Sequence, residues 1–477
     1  MGNLFTALNS ASTSLQAFER AMDVTENNVT NANSPGYADQ VPEMVSEGFE
    51  STTAAQDGGV TEVTQDTRSS YADTAVQQQL SLQGMYQQLQ TTLTPLENVF
   101  DVSSTSPIPS ALNQLFQSFS EWSTDPGNAN YQSAVIDAAQ QTASAFNQAA
   151  SELGQIQTST SQNIQSTVTQ INQDAATIQT INQQIAQNSE PNPGLSAQLE
   201  STLENLSGLA NIQVLPGIGG QVTVMLGGQT ALVEGTQVNA IQAVNDTASN
   251  SGNTDAAPLI SIEDSNGNDI TNQISGGSLA GLLSVYNTTL PSLIGGGQQV
   301  GGLNTLAQSL ADSVNAVLEQ GTTSSSAPYS AGTALFSYNS NAPAGVASTL
   351  AVATGLTGSQ LAAADPGPPY VANGAANTLA ALDSSGSGPD GEGFTGYFAS
   401  LTSTVGYAVS NATTAASTQS QLVSQAQSLQ QQVSGVSLDE EATRLVQLQS
   451  SYDAASKLVT VIDDTLQTLI DMIPVSG

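Results

Sequence analysis

Residues 3–37 read NLFTALNSASTSLQAFERAMDVTENNVTNANSPGY, and their spacing decides the fold. Leu4, Leu8, Ala11, Leu15, Phe18, Met22, Thr25 and Val29 are separated by alternating gaps of four and three. That is the heptad period of a helix whose apolar seam faces another helix, and it runs for roughly 38 Å at the helical rise. Asn3 stands where an N-cap would be. Pro35 restricts Ser34 to extended backbone and Pro-Gly suits the middle of a type II turn, so Ser34-Pro35-Gly36-Tyr37 ends the helix. Asn27, Asn28 and Asn31 read either as terminators of a fraying last turn or as hydrogen-bonding groups between helices.

The far end of the chain mirrors this pattern. Ser437-Leu438-Asp439-Glu440 is spaced as a capping box, with Asp439, Glu440 and Glu441 in the electropositive first turn. Leu445, Leu448, Tyr452, Ala455, Val459, Ile462, Leu466, Leu469 and Ile473 follow at gaps of three and four, until Pro474. Three of the four cations, Arg20, Arg444 and Lys457, sit in these two ends, and residues 41–435 hold only Arg68. Those three can face acids such as Asp23, Glu26 or Asp453 on a neighbouring helix, although an exposed pair of this kind contributes little. Each seam is too narrow to hold a helix alone, so both ends are expected to pair and to order fully on assembly.

Composition excludes much else. The chain has 477 residues, enough for about three domains. Only 9% are charged, and 40 acids against 4 cations give a net charge of −36. Four cations cannot build a phosphate-binding surface, which argues against nucleic acid, and the net charge is repelled by an anionic membrane. With no His and no Cys, there is no His-based triad, no conventional zinc site and no disulfide. No run of 18 apolar residues suggests a membrane span, and no secretory signal is recognisable. Met1-Gly2-Asn3 opens a loose myristoylation pattern, but the same residues fit the start of the helix.

Between the ends, residues 70–100 and 110–122 have helical spacing. Residues 131–188 carry a third seam, Ile164, Val168, Ile171, Ala175, Ile178, Ile181 and Ile185, broken at 188–194 and followed by a helix at 195–210 that should fold back on it. From residue 211 to 275 the period changes to two with Gly-rich turns, which predicts a small antiparallel β domain. Helical spacing returns at 279–318 and again at 396–433. Residues 321–395, rich in Gly, Ser, Pro and Ala, read as a second small β domain or an ordered loop region that assembly could do without. The predicted class is α+β and multidomain: an elongated molecule with a terminal coiled coil, a long helical bundle and inserted antiparallel β domains. Its parts are 1–40 with 436–477, 60–210 with 276–320 and 396–435, 211–275, and 321–395.

No motif carries catalysis well. Asp264-Ser265-Asn266-Gly267-Asn268-Asp269 has calcium-like oxygen spacing, but its Gly is fourth rather than sixth and no Glu stands at position twelve, so a hairpin turn is expected. Asp73-Thr74-Ala75 and Asp246-Thr247-Ala248 echo the aspartic protease tripeptide, yet Asp73 lies in a Gln-rich helical stretch. Gly295-Gly296-Gly297 lacks the Lys-Ser/Thr of a phosphate loop, and the sequons at Asn245 and Asn287 decide nothing alone. No catalytic residue, metal or cofactor is assigned. A secreted carboxylate-dependent glycan hydrolase stays open by residue count alone, and a coiled-coil adhesin or secretion-tip protein by the heptads.

Asn27-Asn28-Val29-Thr30-Asn31-Ala32-Asn33-Ser34-Pro35-Gly36-Tyr37 resembles the N-terminal signature of the flagellar axial proteins of rod, hook and hook–filament junction. Gly435 through Glu441, with Leu445 and Tyr452, resembles the tail of the hook-associated protein 1 branch of that family, as does Gly276-Gly277-Ser278-Leu279-Ala280-Gly281-Leu282-Leu283 with Leu303-Asn304 and Leu306-Ala307. Hook and rod proteins remain the near alternative, with a related but different tail. The resemblance implies a non-enzymatic structural subunit outside the cell, exported unfolded by the flagellar type III apparatus without a cleavable signal. It implies self-assembly in a ring or helical layer, with hook protein below and hook-associated protein 3 above, and an export chaperone on the C-terminal helix. The expected subunit interface is Leu4, Leu8, Leu15, Phe18, Met22, Asn27, Asn28, Asn31, Pro35, Gly36 and Tyr37 from one end. From the other it takes Leu438, Asp439, Glu440, Leu445, Leu448, Tyr452, Val459, Ile462, Leu466 and Leu469. The scarcity of Lys and Arg departs from the family and leaves these contacts less charge-assisted.

Overall fold

The computed structural model describes residues 2–46, 60–101, 107–188, 192–246, 257–326, 328–367 and 369–471. The chain opens with helix α1 (Gly2–Asn31), whose first residue precedes Asn3, so Asn3 lies in the first turn and is not the cap. Strands β1 (Gln40–Ser46) and β2 (Val60–Asp66) then pair antiparallel, from Gln40 against Asp66 to Ser46 against Val60, and the hairpin packs on α1. Residues 60–66, expected within the helical bundle, are strand: Val60 and Val63 with Thr61 and Thr64 are branched at Cβ and suit the pleat better than a helix.

The body is helical. It comprises α2 (Ser70–Val99), α3 (Pro107–Thr124), α4 (Ala129–Gln187) and α5 (Pro193–Leu209). Side chains cap them where backbone N–H groups would be left over: Ser69 accepts from Ala72, Asn128 from Asn130 and Asn192 from Leu195. At 59 residues, α4 is about 88 Å long and serves as the spine. Its predicted seam is borne out, since Ile164, Val168, Ile171, Ala175, Ile178 and Ile181 are all buried and α5 folds back against the helix. Part of the break between them, residues 189–191, lies outside the described residues.

The β region is a meander of β3 (Ile212–Pro216), β4 (Val222–Leu226), β5 (Thr230–Glu234) and β6 (Gln237–Val238), in that order, beside a hairpin of β7 (Gln242–Asp246) and β8 (Leu259–Glu263). Two asparagines of α4 bind it. Asn182 accepts from Val222 N–H and donates to the Val222 and Gly235 carbonyls, and Asn172 does the same for both backbone groups of Ile241. A neutral amide with both a donor and an acceptor can satisfy a strand edge that a helix surface otherwise cannot.

The chain returns through α6 (Gly277–Ser284), a π-turn at Val285–Thr289 and α7 (Leu290–Ile294), and then through α8 (Gly302–Gln320). The single helical stretch expected at 279–318 is interrupted because Gly295 and Gly301 take positive φ, 88° and 86°. Residues 321–395 form ordered coil, with the two-residue strands β9 (Phe336–Ser337) and β10 (Ala351–Val352) and the short helices α9 (Val346–Thr349) and α10 (Gly374–Ala381). They are not a separate β domain: Leu335, Phe336, Leu350, Leu361 and Leu379 are buried in the common core. Asparagines again hold them, Asn315 at Leu335 and Phe336, Asn147 at Ala347 and Leu350, and Asn304 at Ala344 and Ala347.

Helix α11 (Phe394–Ser434) runs antiparallel to α2, with Gln419 bonded to Gln79 and Gln430 to Asp73. Ring pairs Phe100–Phe398 and Phe116–Phe394, 5.8 and 5.9 Å apart, fasten its start to α2 and α3. Helix α12 (Leu438–Asp471) leaves the body and pairs with α1. Ile473 and Pro474 lie outside the described residues.

The motifs weighed for chemistry are structural. Asp264 accepts from Asn266 N–H and from the backbone and side chain of Asn268, a closed turn with Gly267 at φ 81°. Those bonds, the Asn268 side chain first, hold its carboxyl below the usual range. Asp246 ends β7, whereas Thr247 and Ala248 lie outside the described residues. Asn287 of the second sequon spends its amide on both backbone groups of Ile260. Among the described residues, no group of three or more acids is arranged to hold a metal ion, and no helix is long and apolar enough to cross a membrane.

Candidate assembly interface

Asn28 near the end of α1 bonds Glu441 in the first turn of α12 at 3.0 Å, and the two helices pack together as an antiparallel pair. On α12 the seam falls where the spacing put it. Ile462 is buried, and Leu445, Leu448, Tyr452, Ala455, Val459 and Leu466 are half-buried. The side chain of Leu469 lies outside the described residues.

On α1 the fully buried face is turned from the expected one. It keeps Ala11 and Thr25 of the expected seam and adds Ala17, Ala21 and Asn28, while Leu4, Leu8, Leu15, Phe18 and Met22 are half-buried and Val29 is exposed. Small residues let α12 and the hairpin approach closely, which moves the larger side chains to the rim. One chain therefore closes only part of its seam. Val446 and Val461 on α12 are 65% and 58% exposed, and Leu438 and Leu458 are open as well. Asp439 and Glu440 are exposed, and Ser437 Oγ accepts from Glu440 N–H at 3.5 Å, the half of the capping box that the structure realises.

Asn28 is the centre of the base and not part of a frayed turn. Fully buried, it donates to Asp39, to the Gln40 carbonyl and to Glu441, and accepts from Gln40 N–H and Tyr37 Oη. Its four neighbours come from two other segments, 37–40 and α12, so one amide ties together the end of α1, the start of β1 and the start of α12. Burial, and then the Asp39 charge, push the Tyr37 hydroxyl up to about 12, so it stays a donor. Asn27 is exposed and lends its backbone carbonyl to Asn31, whose Oδ1 takes the Ser34 hydroxyl.

The turn after α1 is the expected type II: Tyr37 N–H reaches the Ser34 carbonyl, and Gly36 takes φ 71°. Gly36 has a second reason. A Cβ there would lie 2.4 Å from the Ala197 carbonyl, because the turn rests on the backbone of α5. Pro35 is exposed on the outer side.

Charge lies elsewhere than the cation count implied. Arg20 and Lys457 are exposed and form no ion pair among the described residues, while Arg444 pairs with Glu441 on its own helix. Arg68, the lone cation of the middle, is the one at a crossing of segments. It donates to the Gly36 carbonyl at 2.6 Å and stands 3.7 Å from both Asp73 and Glu200 and 3.9 Å from Asp66. Beside it Ser434, the last residue of α11, takes Ser69 N–H, gives its hydroxyl to the Thr67 carbonyl and receives Asp39 N–H on its own carbonyl. Sequence reading missed this joint. Its signal was that a chain with so few cations keeps one here.

Comparison with known proteins agrees with this arrangement. The family described as "Flagellar hook-associated protein FlgK helical domain" matches residues 93–336, the spine, the β region and α8. "Flagellar basal body rod FlgEFG protein C-terminal" matches residues 430–472, which is α12 and its approach. The chain is similar over the full length of both proteins to flagellar hook-associated protein 1 of Bacillus subtilis (strain 168), at 27% identity over 519 aligned positions. Its fold is also similar to that of the flagellar hook junction protein FlgK from Burkholderia pseudomallei, with a TM-score of 0.65 at 17% identity, covering 75% of this chain and 99% of that one. With the helical-domain match spanning more than half of its 477 residues, the chain belongs to the FlgK family of flagellar hook-associated proteins, structural components and not enzymes.

Proposed function

We propose that the chain is the first subunit layer of the hook–filament junction, outside the cell, and that copies join through the α1–α12 pair. The observation that carries this is the half-closed seam. The family places the protein in the flagellum among hook proteins. The exposed Val446, Leu458 and Val461, with the half-open Leu15, Phe18, Met22, Leu445, Leu448 and Tyr452, leave apolar surface that a single chain does not cover. Apolar area removed from water contributes about 25 cal/mol per Å², so neighbouring copies gain by covering it. The terminal pair orders fully in that layer, with hook protein beneath and hook-associated protein 3 above. Before export, a chaperone shields α12. Immunogold labelling of isolated flagella tests the placement: gold confined to the boundary of hook and filament is expected, and gold along the hook or rod refutes it.

A further inference from the structure

Three carboxylates and one guanidinium meet at the joint between the terminal pair and the body. Asp73 of α2 and Glu200 of α5 are almost fully buried, at 4% and 5% exposure, and Glu204 stands one turn further along α5. Facing Glu200 are Asp73 and Gln77 from α2, Arg68 from the link after β2, and Glu204 from its own helix. Gln430 of α11 donates to Asp73 and Glu204, and Asp66 at the end of β2 adds a further negative charge beside Asp73 and Arg68. Among the described residues, Arg68 is the cation of the cluster, and the other groups facing it are neutral amides, a backbone carbonyl and the further acid Asp66. Three ionised acids against one cation would leave two buried charges uncompensated, a cost that proteins avoid by retaining a proton.

We propose that this knot is a proton-dependent elbow lock: a proton held among Glu200, Asp73 and Glu204 lets Arg68 clasp the Gly36 turn, and its loss loosens the joint between the terminal helices and the body. The clasp is placed to act this way, because Arg68 bridges the turn that follows α1 to acids on α2 and α5. All three acids move in the same direction. Burial, and then the Asp73 charge, push Glu200 up to about 7, with Arg68 and Gln77 opposing, and burial raises Asp73 and Glu204 as well. A carboxyl raised on folding favours the closed joint in full below the ordinary Glu range, loses that contribution as pH climbs, and has lost it above about 7.

Hydrogen exchange on the full-length monomer, corrected for intrinsic rates, tests the lock. The reporters are peptides covering 34–40 and 66–73, whose amides at Asp39, Thr67 and Ser69 cross the joint. Protection there is expected to fall about tenfold from pH 6 to pH 8.5, while peptides of α4 hold theirs. Glu200→Gln, which removes the charge and keeps the shape, should retain the acid-side protection at both pH values, and Arg68→Gln should lack it at both. Equal protection at both pH values in the parent chain, none at either, or an unaltered pH response in Glu200→Gln overturns the proposal. The reading needs no assembly, so its failure would leave the junction placement standing.

Discussion

The seams of α4 and of α12 have the same spacing and different fates. On α4 the isoleucines from Ile164 to Ile181 are closed over within one chain, by α5, by the β meander and by the return helices. On α12, residues at equivalent positions other than Ile462 are half-closed, and α1 is the element that packs along them among the described residues. A heptad pattern therefore states that a stripe wants covering. It does not state whether the same chain supplies the cover. On the assembly proposed above, the difference separates the part of the molecule that folds alone from the part that neighbours would complete.

The sharpest way to break this contrast is deletion. Removing residues 438–471 should abolish incorporation into flagella while the melting of the body stays unchanged. Removing 321–395 should instead unfold the body, since it strips Leu335, Phe336 and Leu350 from the core. Equal behaviour of the two deletions, read by hook-bound protein and by calorimetry, would erase the distinction. Point changes sharpen it next. Ile178→Ala should cost about 2–5 kcal/mol in urea unfolding. Leu448→Ala, half-buried in the monomer, should cost about 1 kcal/mol or less there and yet reduce incorporation.

How much of this was legible in the residues follows the same line. Period and turn chemistry gave both terminal helices, the α4 seam, the Gly36 turn and the β region, because those are local rules. The rotation of the α1 face was hidden: Ala17 and Ala21 are weakly apolar in isolation and matter only once another backbone comes close. The hairpin at 40–66 was hidden by the strong signals on either side of it. Asn28 and Arg68 were visible as residue types in unusual places, but their partners lie up to 413 positions away, and no spacing rule reaches that far. Heptad spacing marks Leu15, Phe18 and Met22 as seam residues, and the structure leaves them half-buried.

Asn28 supplies a test of intermediate size. Asn28→Ala leaves Glu441, Asp39 and the Gln40 backbone groups without their shared partner and should cost about 1–3 kcal/mol. The loss should show as faster proteolysis of the α1–α12 pair, with the body intact. Salt has the smallest effect. At a net charge of −36, raising ionic strength moderately should promote association of copies by screening like charges, detectable as a modest rise in the sedimenting fraction. A fall in that fraction would mean that ion pairs and not apolar cover join the subunits.

The amide clamps of α4 and α8 carry a consequence for salt and acid. Asn172, Asn182, Asn304 and Asn315 grip distant backbone without bearing charge, so nothing in those grips can be diluted by brine or neutralised by acid. Contacts of this kind do not weaken with ionic strength as a surface ion pair does.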